Sequence, residues 1–262
     1  MPDAARLLPR LVEITAEAGA SVVAVRSRPY VTGTKQDGSP LSEADMAADA
    51  VIAAGLAAAA PGIPVVSEEG ASRIAPADGA PFLLVDPLDG TREFLGPTGE
   101  FTVNIALVEK GVPVCGVVYA PALGRIWTGL VGSGSCTGTL RAGEDAAGVE
   151  WRPIRARPRP ATGLVAVASR SHSDVTTETF LMRLGVAQRR SMGSSIKFCL
   201  IAEGEADVYP RFGETFEWDT AAGQAVLEAA GGRVTTPEGE PFLYGKAEAS
   251  FRNGPFIAWG AA

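Results

Sequence analysis

The segment Phe82-Leu83-Leu84-Val85-Asp86-Pro87-Leu88-Asp89-Gly90-Thr91 constrains this chain more than any other stretch. Four consecutive apolar residues, bounded by turn formers, predict a short buried strand. That strand delivers Asp86 to its C-terminal end, where Pro87 fixes a backbone angle and Gly90 permits a tight turn. Such a turn can bring both aspartates and the Leu88 carbonyl to one point. Hard cations such as Mg²⁺ require oxygen ligands of this kind. Asp-Pro and Asp-Gly are also ordinary turn formers. A turn, however, accounts for one aspartate, not for two followed by a threonine.

Three further acidic positions stand at the ends of predicted elements. Pro64-Val65-Val66-Ser67 reads as a second buried strand running into Glu68-Glu69-Gly70. Neighbours on an extended chain point to opposite sides, so Glu68 and Glu69 cannot play equal parts. Glu217-Trp218-Asp219-Thr220-Ala221-Ala222-Gly223 enters a helix, and taken alone Asp219 is simply its N-cap. Asp45 likewise completes a capping box with Ser42. Singly these are turn, cap or loop acids. Together they are far apart in sequence, and the set contains no His or Cys, which favours Mg²⁺ over Zn²⁺.

Composition narrows the field. The 262 residues carry 30 acidic and 23 basic side chains, a net charge of −7, which argues against a broad basic surface for nucleic acid. One histidine, His172, excludes chemistry that needs two imidazoles, and Cys115, Cys136 and Cys199 are too few for a disulfide framework. The longest uncharged run, Ala50 to Ser67, is mostly alanine and is broken by Gly55, Pro61, Gly62 and Pro64, so no membrane span is expected. No secretory pattern opens the chain, and a cytoplasmic protein is expected, with room for loose association with a membrane surface.

Periodicity predicts a helix over residues 3–26 and a polar, glycine-containing stretch from Thr32 to Ser42. A second helix runs from Ser42 to before Pro61-Gly62. Thr102 to Val108 and Val112 to Tyr119 read as an antiparallel pair turning at Lys110-Gly111, followed by a strand at Ile126 to Val131. The Pro- and Arg-rich stretch Ala142 to Pro160 reads as a loop between an N-terminal α+β lobe (1–141) and a C-terminal α/β lobe (142–262) of one two-lobed unit. Beyond it come a strand at Leu164 to Ala168, a helix capped by Ser173 and ending near Gly185, and a helix from Ser194 to Glu203. A strand at Asp207 to Tyr209 and a helix from Asp219 to Ala230, closed by Gly231-Gly232, complete the pattern.

Glu68-Glu69, Asp86-Pro87-Leu88-Asp89-Gly90-Thr91 and Trp218-Asp219-Thr220-Ala221-Ala222-Gly223 together resemble the three signatures of the inositol monophosphatase superfamily, Mg²⁺-dependent and Li⁺-sensitive phosphomonoesterases. The likeness runs from about Lys35 to near the C-terminus. Within it, Gly99 to Leu107, Gly116 to Pro121, Ser169 to His172, Gly193 to Cys199 and Tyr209 to Gly213 resemble the bacterial 3′(2′),5′-bisphosphate nucleotidase branch. Arg92 stands where that branch commonly has Lys, and Ser42 where it often has Thr.

The resemblance implies a layered α-β-α-β-α sandwich of the α+β class, with mixed and largely antiparallel sheets. It implies one Mg²⁺ held by Glu68, Asp86 and the Leu88 carbonyl, and a second held by Asp86, Asp89 and Asp219. Asp45 resembles the family aspartate near the metals and the attacking water, where a third ion can sit. Thr91 resembles the hydroxyl that orients this water, with Glu68 as proton acceptor. Gly90, Thr91 and Asp219 are implied to contact substrate. Ser194, Lys197 and Arg211 would receive the phosphate that is not cleaved, and His172 the sugar or base. Read without the resemblance, Lys197 and Arg211 are solvated surface and His172 a turn residue.

The implied substrate is adenosine 3′,5′-bisphosphate, cleaved to AMP and phosphate. Two other readings stand beside it. An inositol or sugar monophosphatase would keep the metals but needs no second phosphate pocket. A catalytically silent nucleotide- or metal-binding protein would have no need of the carboxylate set. No nucleic-acid partner is expected, and the chain is read as monomer or homodimer.

Overall fold

The computed structural model describes residues 3–34, 40–70, 79–169 and 174–261, the side chains of 34 and 40–42 excepted. Lys35, His172, Ser173 and the Ser42 side chain, all singled out from the sequence, lie outside the described residues.

Among the described residues the chain builds two short two-stranded sheets, Thr32–Thr34 with Pro40–Ser42 and Thr215–Phe216 with Arg252–Asn253, and two large ones. The larger has seven strands in the order Val65–Ser67, Phe82–Asp89, Thr102–Glu109, Val112–Ala120, Arg125–Leu130, Gly134–Thr139 and Arg152–Ile154. Its first pair is parallel and every other pair antiparallel. The smaller sheet has five strands in the order Gln188–Met192, Val165–Ser169, Val208–Arg211, Phe256–Trp259 and Arg233–Thr235. Its parallel pairs run from Gln188–Met192 to Val208–Arg211, and its remaining pairs are antiparallel.

Helices complete the layers. Ala4–Arg26 and Glu43–Ala59 pack on one face of the large sheet, where Leu11, Val22, Ile52 and Leu56 meet Leu83, Val85, Ile105 and Val117. The other face carries Leu84, Ala106, Val118 and Trp127 against Ile196–Ala202 and Ala221–Ala229. Both faces of the central strands are therefore dry, which is why they read as continuous apolar runs rather than alternating ones. The small sheet lies beyond these two helices, with Val167, Tyr209 and Phe256 in the same core. Val175–Leu184 covers its far face through Leu181, against Ala166, Val208 and Ile257. The order is helix, sheet, helix, sheet, helix, as the resemblance implies.

One close approach fixes the central layer. A Cβ on Gly129 would meet the Ala225 carbonyl oxygen and Val226 Cα at 2.5 Å each, so only glycine lets the Ala221–Ala229 helix sit this near the sheet.

The local departures from the sequence reading have simple causes. The 142–160 stretch is not all loop, because Arg152–Ile154 adds an edge strand to the large sheet. Thr32–Thr34 pairs with Pro40–Ser42 within the polar stretch before the second helix. Asp174, not Ser173, caps Val175–Leu184, its Oδ1 accepting from the Thr177 N–H at 2.8 Å, and Gly185 closes that helix at φ +68°. Ser194 does not start a helix. It holds φ +46° ahead of Ile196–Ala202, whose N-cap is Ser195. Asp219 is not the cap of the late helix either, since Thr220 takes that position. The stop at Gly231 is present, at φ +95°.

Candidate active site

The Asp86 and Asp89 positions depend on an irregularity in the strand. Asp86 pairs with Asn104 and Asp89 with Thr102, so three steps on one strand match two on its partner. Side chains three residues apart on a regular strand face opposite ways, and one extra residue restores a common side. Pro87 sits inside this bulge, where its missing N–H is tolerated. The strand thus runs through Asp89 instead of ending at Asp86. Leu88 N–H returns to Asp86 Oδ1 at 3.0 Å, a turn closed by the side chain itself. Gly90 then adopts φ +90°, a conformation that favours glycine, and opens the short helix Thr91–Leu95.

Parallel pairing brings the second acid alongside. Val65–Ser67 runs beside Leu83–Val85, and the Glu68 N–H donates to the Val85 carbonyl at 3.1 Å. Ser67 Oγ lies 2.5 Å from Asp49 Oδ1, tying this strand end to the Glu43–Ala59 helix. Asp219 arrives from the other half of the chain. Its Oδ2 accepts from the Phe216 N–H at 2.8 Å, which folds the Phe216–Asp219 turn on itself. Behind this turn the fully buried Glu217 accepts from the N–H groups of Gly245 and Lys246 at 2.8 Å each and from Lys246 Nζ at 3.1 Å.

These residues converge on a cavity of about 290 Å³. Glu68, Asp86, Leu88, Asp89, Gly90, Thr91 and Asp219 line it, together with Ser194, Lys197 and Arg211. All but two of the sequence-predicted site residues are therefore brought together. His172 lies outside the described residues, and Asp45, buried in the first turn of its helix, does not line the cavity.

Lys197 and Arg211 are not solvated surface, as their residue types alone suggest. Both are buried. Lys197 Nζ donates to the Ser194 carbonyl at 2.5 Å and lies 5.1 Å from the centre of the Tyr209 ring. Its pKa is lowered to about 8, chiefly by burial; Asp89 is the main charge opposing the shift, Arg211 adds to it, and Glu93 and Glu100 oppose it. Arg211 Nη2 donates to the Glu214 carbonyl at 3.0 Å.

The acidic part is strained in the opposite sense. Burial raises the Asp89 pKa, against the Lys197 charge and the Ser195 hydrogen bonds, and Glu68 raises it further. Burial also holds Asp219 well above the usual carboxylate range, reinforced by the charges of Asp89 and Glu68. The three acids therefore repel one another across the same space. Among the described residues no three His, Cys, Asp or Glu side chains form a ready-made metal cage. The donor set still fits a hard divalent cation: it is all oxygen, its charges are of one sign and at least half-buried, and a cation relieves the repulsion that burial amplifies.

The sequence motifs contain residues whose part only contacts reveal. Asp89 Oδ2 accepts from the Ser195 N–H at 2.6 Å, and Asn104 Nδ2 donates to Ser195 Oγ at 3.0 Å. Ser195 and Asn104 both stand in segments that carry the resemblance, but nothing in residue type alone joins positions 91 residues apart.

Comparison with known proteins places this arrangement. The chain is 42% identical over 254 residues to the 3′(2′),5′-bisphosphate nucleotidase CysQ of Shigella flexneri, covering 95% of this chain and 98% of that one. The crystal structure of CysQ from Bacteroides thetaiotaomicron superposes with a TM-score of 0.83 at 38% identity, covering 97% and 96% of the two chains. The inositol monophosphatase of Anabaena shares the fold at a TM-score of 0.77 and 24% identity, over 99% of this chain and 92% of that one. The model of the inositol monophosphatase family matches residues 3–257. With its signatures gathered on one cavity and its layers in that order, the chain belongs to the inositol monophosphatase family.

Proposed function

We propose that this chain is a Mg²⁺-dependent phosphomonoesterase that removes the 3′-phosphate of adenosine 3′,5′-bisphosphate, giving AMP and phosphate. One observation carries the choice of substrate: the cavity that gathers the acids Glu68, Asp86, Asp89 and Asp219 is also lined by the buried cations Lys197 and Arg211, and the two sets are assigned as two regions. A ligand with one phosphate needs only one of these regions. The name of the Shigella relative supports the same reading.

Glu68, Asp86, Asp89, Asp219 and the Leu88 carbonyl are the oxygen donors offered to two Mg²⁺ ions. Bound there, Mg²⁺ supplies neutralisation of the phosphoryl oxygens, a more acidic water and stabilisation of the leaving alkoxide. Glu68, half-buried at its strand end, accepts the proton of the attacking water. The Thr91 hydroxyl orients that water, and the Gly90 and Thr91 N–H groups donate to the phosphate being cleaved. Lys197 and Arg211 hold the second phosphate by charge-assisted bonds, and Ser194, whose buried Oγ has no hydrogen-bond partner among the described residues, donates to it. Asp45, buried in the first turn of the Glu43–Ala59 helix, is assigned as the aspartate near the metals and the attacking water, where a third ion can sit. Li⁺ inhibits by competing for the same oxygen donors.

The test is turnover with Mg²⁺ on adenosine 3′,5′-bisphosphate, adenosine 3′-monophosphate and inositol 1-phosphate. The bisphosphate is expected to be preferred by kcat/KM. Preference for the inositol ester would replace this reading with that of a sugar monophosphatase.

A further inference from the structure

We infer that Ser195 is a positioning residue that sets the distance between Asp89 and Asp219. The inference rests on the metal-dependent reading above and concerns a residue to which that reading gives no part. Ser195 is 1% exposed and is the last residue before the Ile196–Ala202 helix. Its N–H donates to Asp89 Oδ2 at 2.6 Å, and its Oγ lies 3.0 Å from the same oxygen. The same Oγ is 2.7 Å from the backbone carbonyl oxygen of Asp219. Asn104 Nδ2 donates a hydrogen bond to Oγ at 3.0 Å, which leaves the one hydroxyl hydrogen to be donated onward, the Asp219 carbonyl being the nearer acceptor.

Two consequences follow from the geometry. Asp89 Oδ2 is occupied by Ser195, with Thr102 Oγ1 and Asn104 Nδ2 more distant at 3.4 and 3.5 Å, so Oδ1 is the oxygen left for the cavity. One seryl group also joins the side chain of one proposed ligand to the backbone of another, across the two halves of the chain. Groups that orient metal ligands without touching the metal commonly change its affinity by tenfold to a hundredfold when removed. Alanine at this position keeps the N–H bond and loses the hydroxyl link, so the two acids remain but their spacing loosens.

The experiment titrates Mg²⁺ into substrate-free protein by calorimetry, for wild type, Ser195→Ala and Asn104→Ala, with melting of each protein in chelator. Ser195→Ala is expected to weaken Mg²⁺ binding by about tenfold or more. Its KM for the nucleotide at saturating Mg²⁺ should hold. Asn104→Ala, which leaves the hydroxyl but removes its donor, should shift Mg²⁺ binding in the same direction by less. Wild-type affinity in Ser195→Ala would overturn the inference. So would a lower melting temperature in chelator with unchanged Mg²⁺ affinity in both variants, which marks a merely structural serine. If wild-type protein binds no Mg²⁺, the metal-dependent reading falls and this inference with it. Binding by wild type and equal binding by Ser195→Ala overturns this inference alone.

Discussion

The acidic and cationic regions of the cavity are both buried charge, yet the sequence places them differently and the fold holds them differently. The carboxylates stand where elements end. Glu68 follows Val65–Ser67, Asp86 and Asp89 flank the bulge of Phe82–Asp89, and Asp219 precedes Ala221–Ala229. Lys197 lies inside the Ile196–Ala202 helix and Arg211 ends the Val208–Arg211 strand, each donating to a backbone carbonyl, of Ser194 and Glu214 respectively. The acids face one another and raise each other's affinity for a proton. The cations also oppose each other, Arg211 lowering the Lys197 pKa, but the nearby acids Asp89, Glu93 and Glu100 temper that repulsion. The acidic region is therefore the frustrated one, and it gains most from a small multivalent cation. The cationic region keeps a smaller strain, since burial still holds the Lys197 pKa down to about 8, and it gains from an anion.

The largest effect expected from breaking this contrast is at Asp89. Asp89→Asn should lower kcat/KM by about a hundredfold to a thousandfold, the usual loss when a group that stabilises transition-state charge is removed. The same change removes a buried charge that Glu68 and Asp219 oppose, so the melting temperature in chelator should hold or rise. A fall in melting temperature would mean that Asp89 serves the fold rather than a cation.

Lys197→Ala comes next. Losing a charge-assisted hydrogen bond costs about 1.5–3 kcal/mol, so KM for the bisphosphate should rise by roughly tenfold to a hundredfold. KM for adenosine 3′-monophosphate should barely move. An equal rise for both substrates would show that Lys197 supports the cavity without choosing its ligand.

The smallest effect is in the pH dependence of stability without metal. The folded pKa of Asp219 is raised, so the folded protein holds a proton that the unfolded chain releases near 3.8. This contribution is fully present below that pH and is lost as pH rises through the higher folded value. In chelator, wild-type stability should fall with rising pH over this window relative to Asp219→Asn, and Mg²⁺ should remove the difference. Parallel pH curves for the two proteins in chelator would contradict mutual repulsion at the site.

Much of the site was legible because its acids sit at punctuation. Strand runs ending in Asp86 and Glu68 can be read from apolar blocks and turn formers, and the layered order follows from the motifs the chain shares with its family. Other features left no such trace. Gln188–Met192 is a polar edge strand whose exposed side chains carry no apolar period. Asp219 resembles a helix cap in sequence and becomes a cavity residue only because Phe216 N–H turns its carboxylate inward. Lys197 looks solvated by type, and its burial depends on Tyr209 and Ser194. The Ser195 contacts span 106 and 24 residues and belong to tertiary packing alone.

The most direct measurement of the central claim is the ratio of kcat/KM for adenosine 3′,5′-bisphosphate to that for adenosine 3′-monophosphate, taken with wild-type protein in saturating Mg²⁺. The two substrates share the scissile ester and differ only in the phosphate assigned to Lys197 and Arg211. A ratio well above one, collapsing toward one in Lys197→Ala, is the result predicted. A wild-type ratio near one would contradict the division of the cavity into a metal region and a second phosphate region.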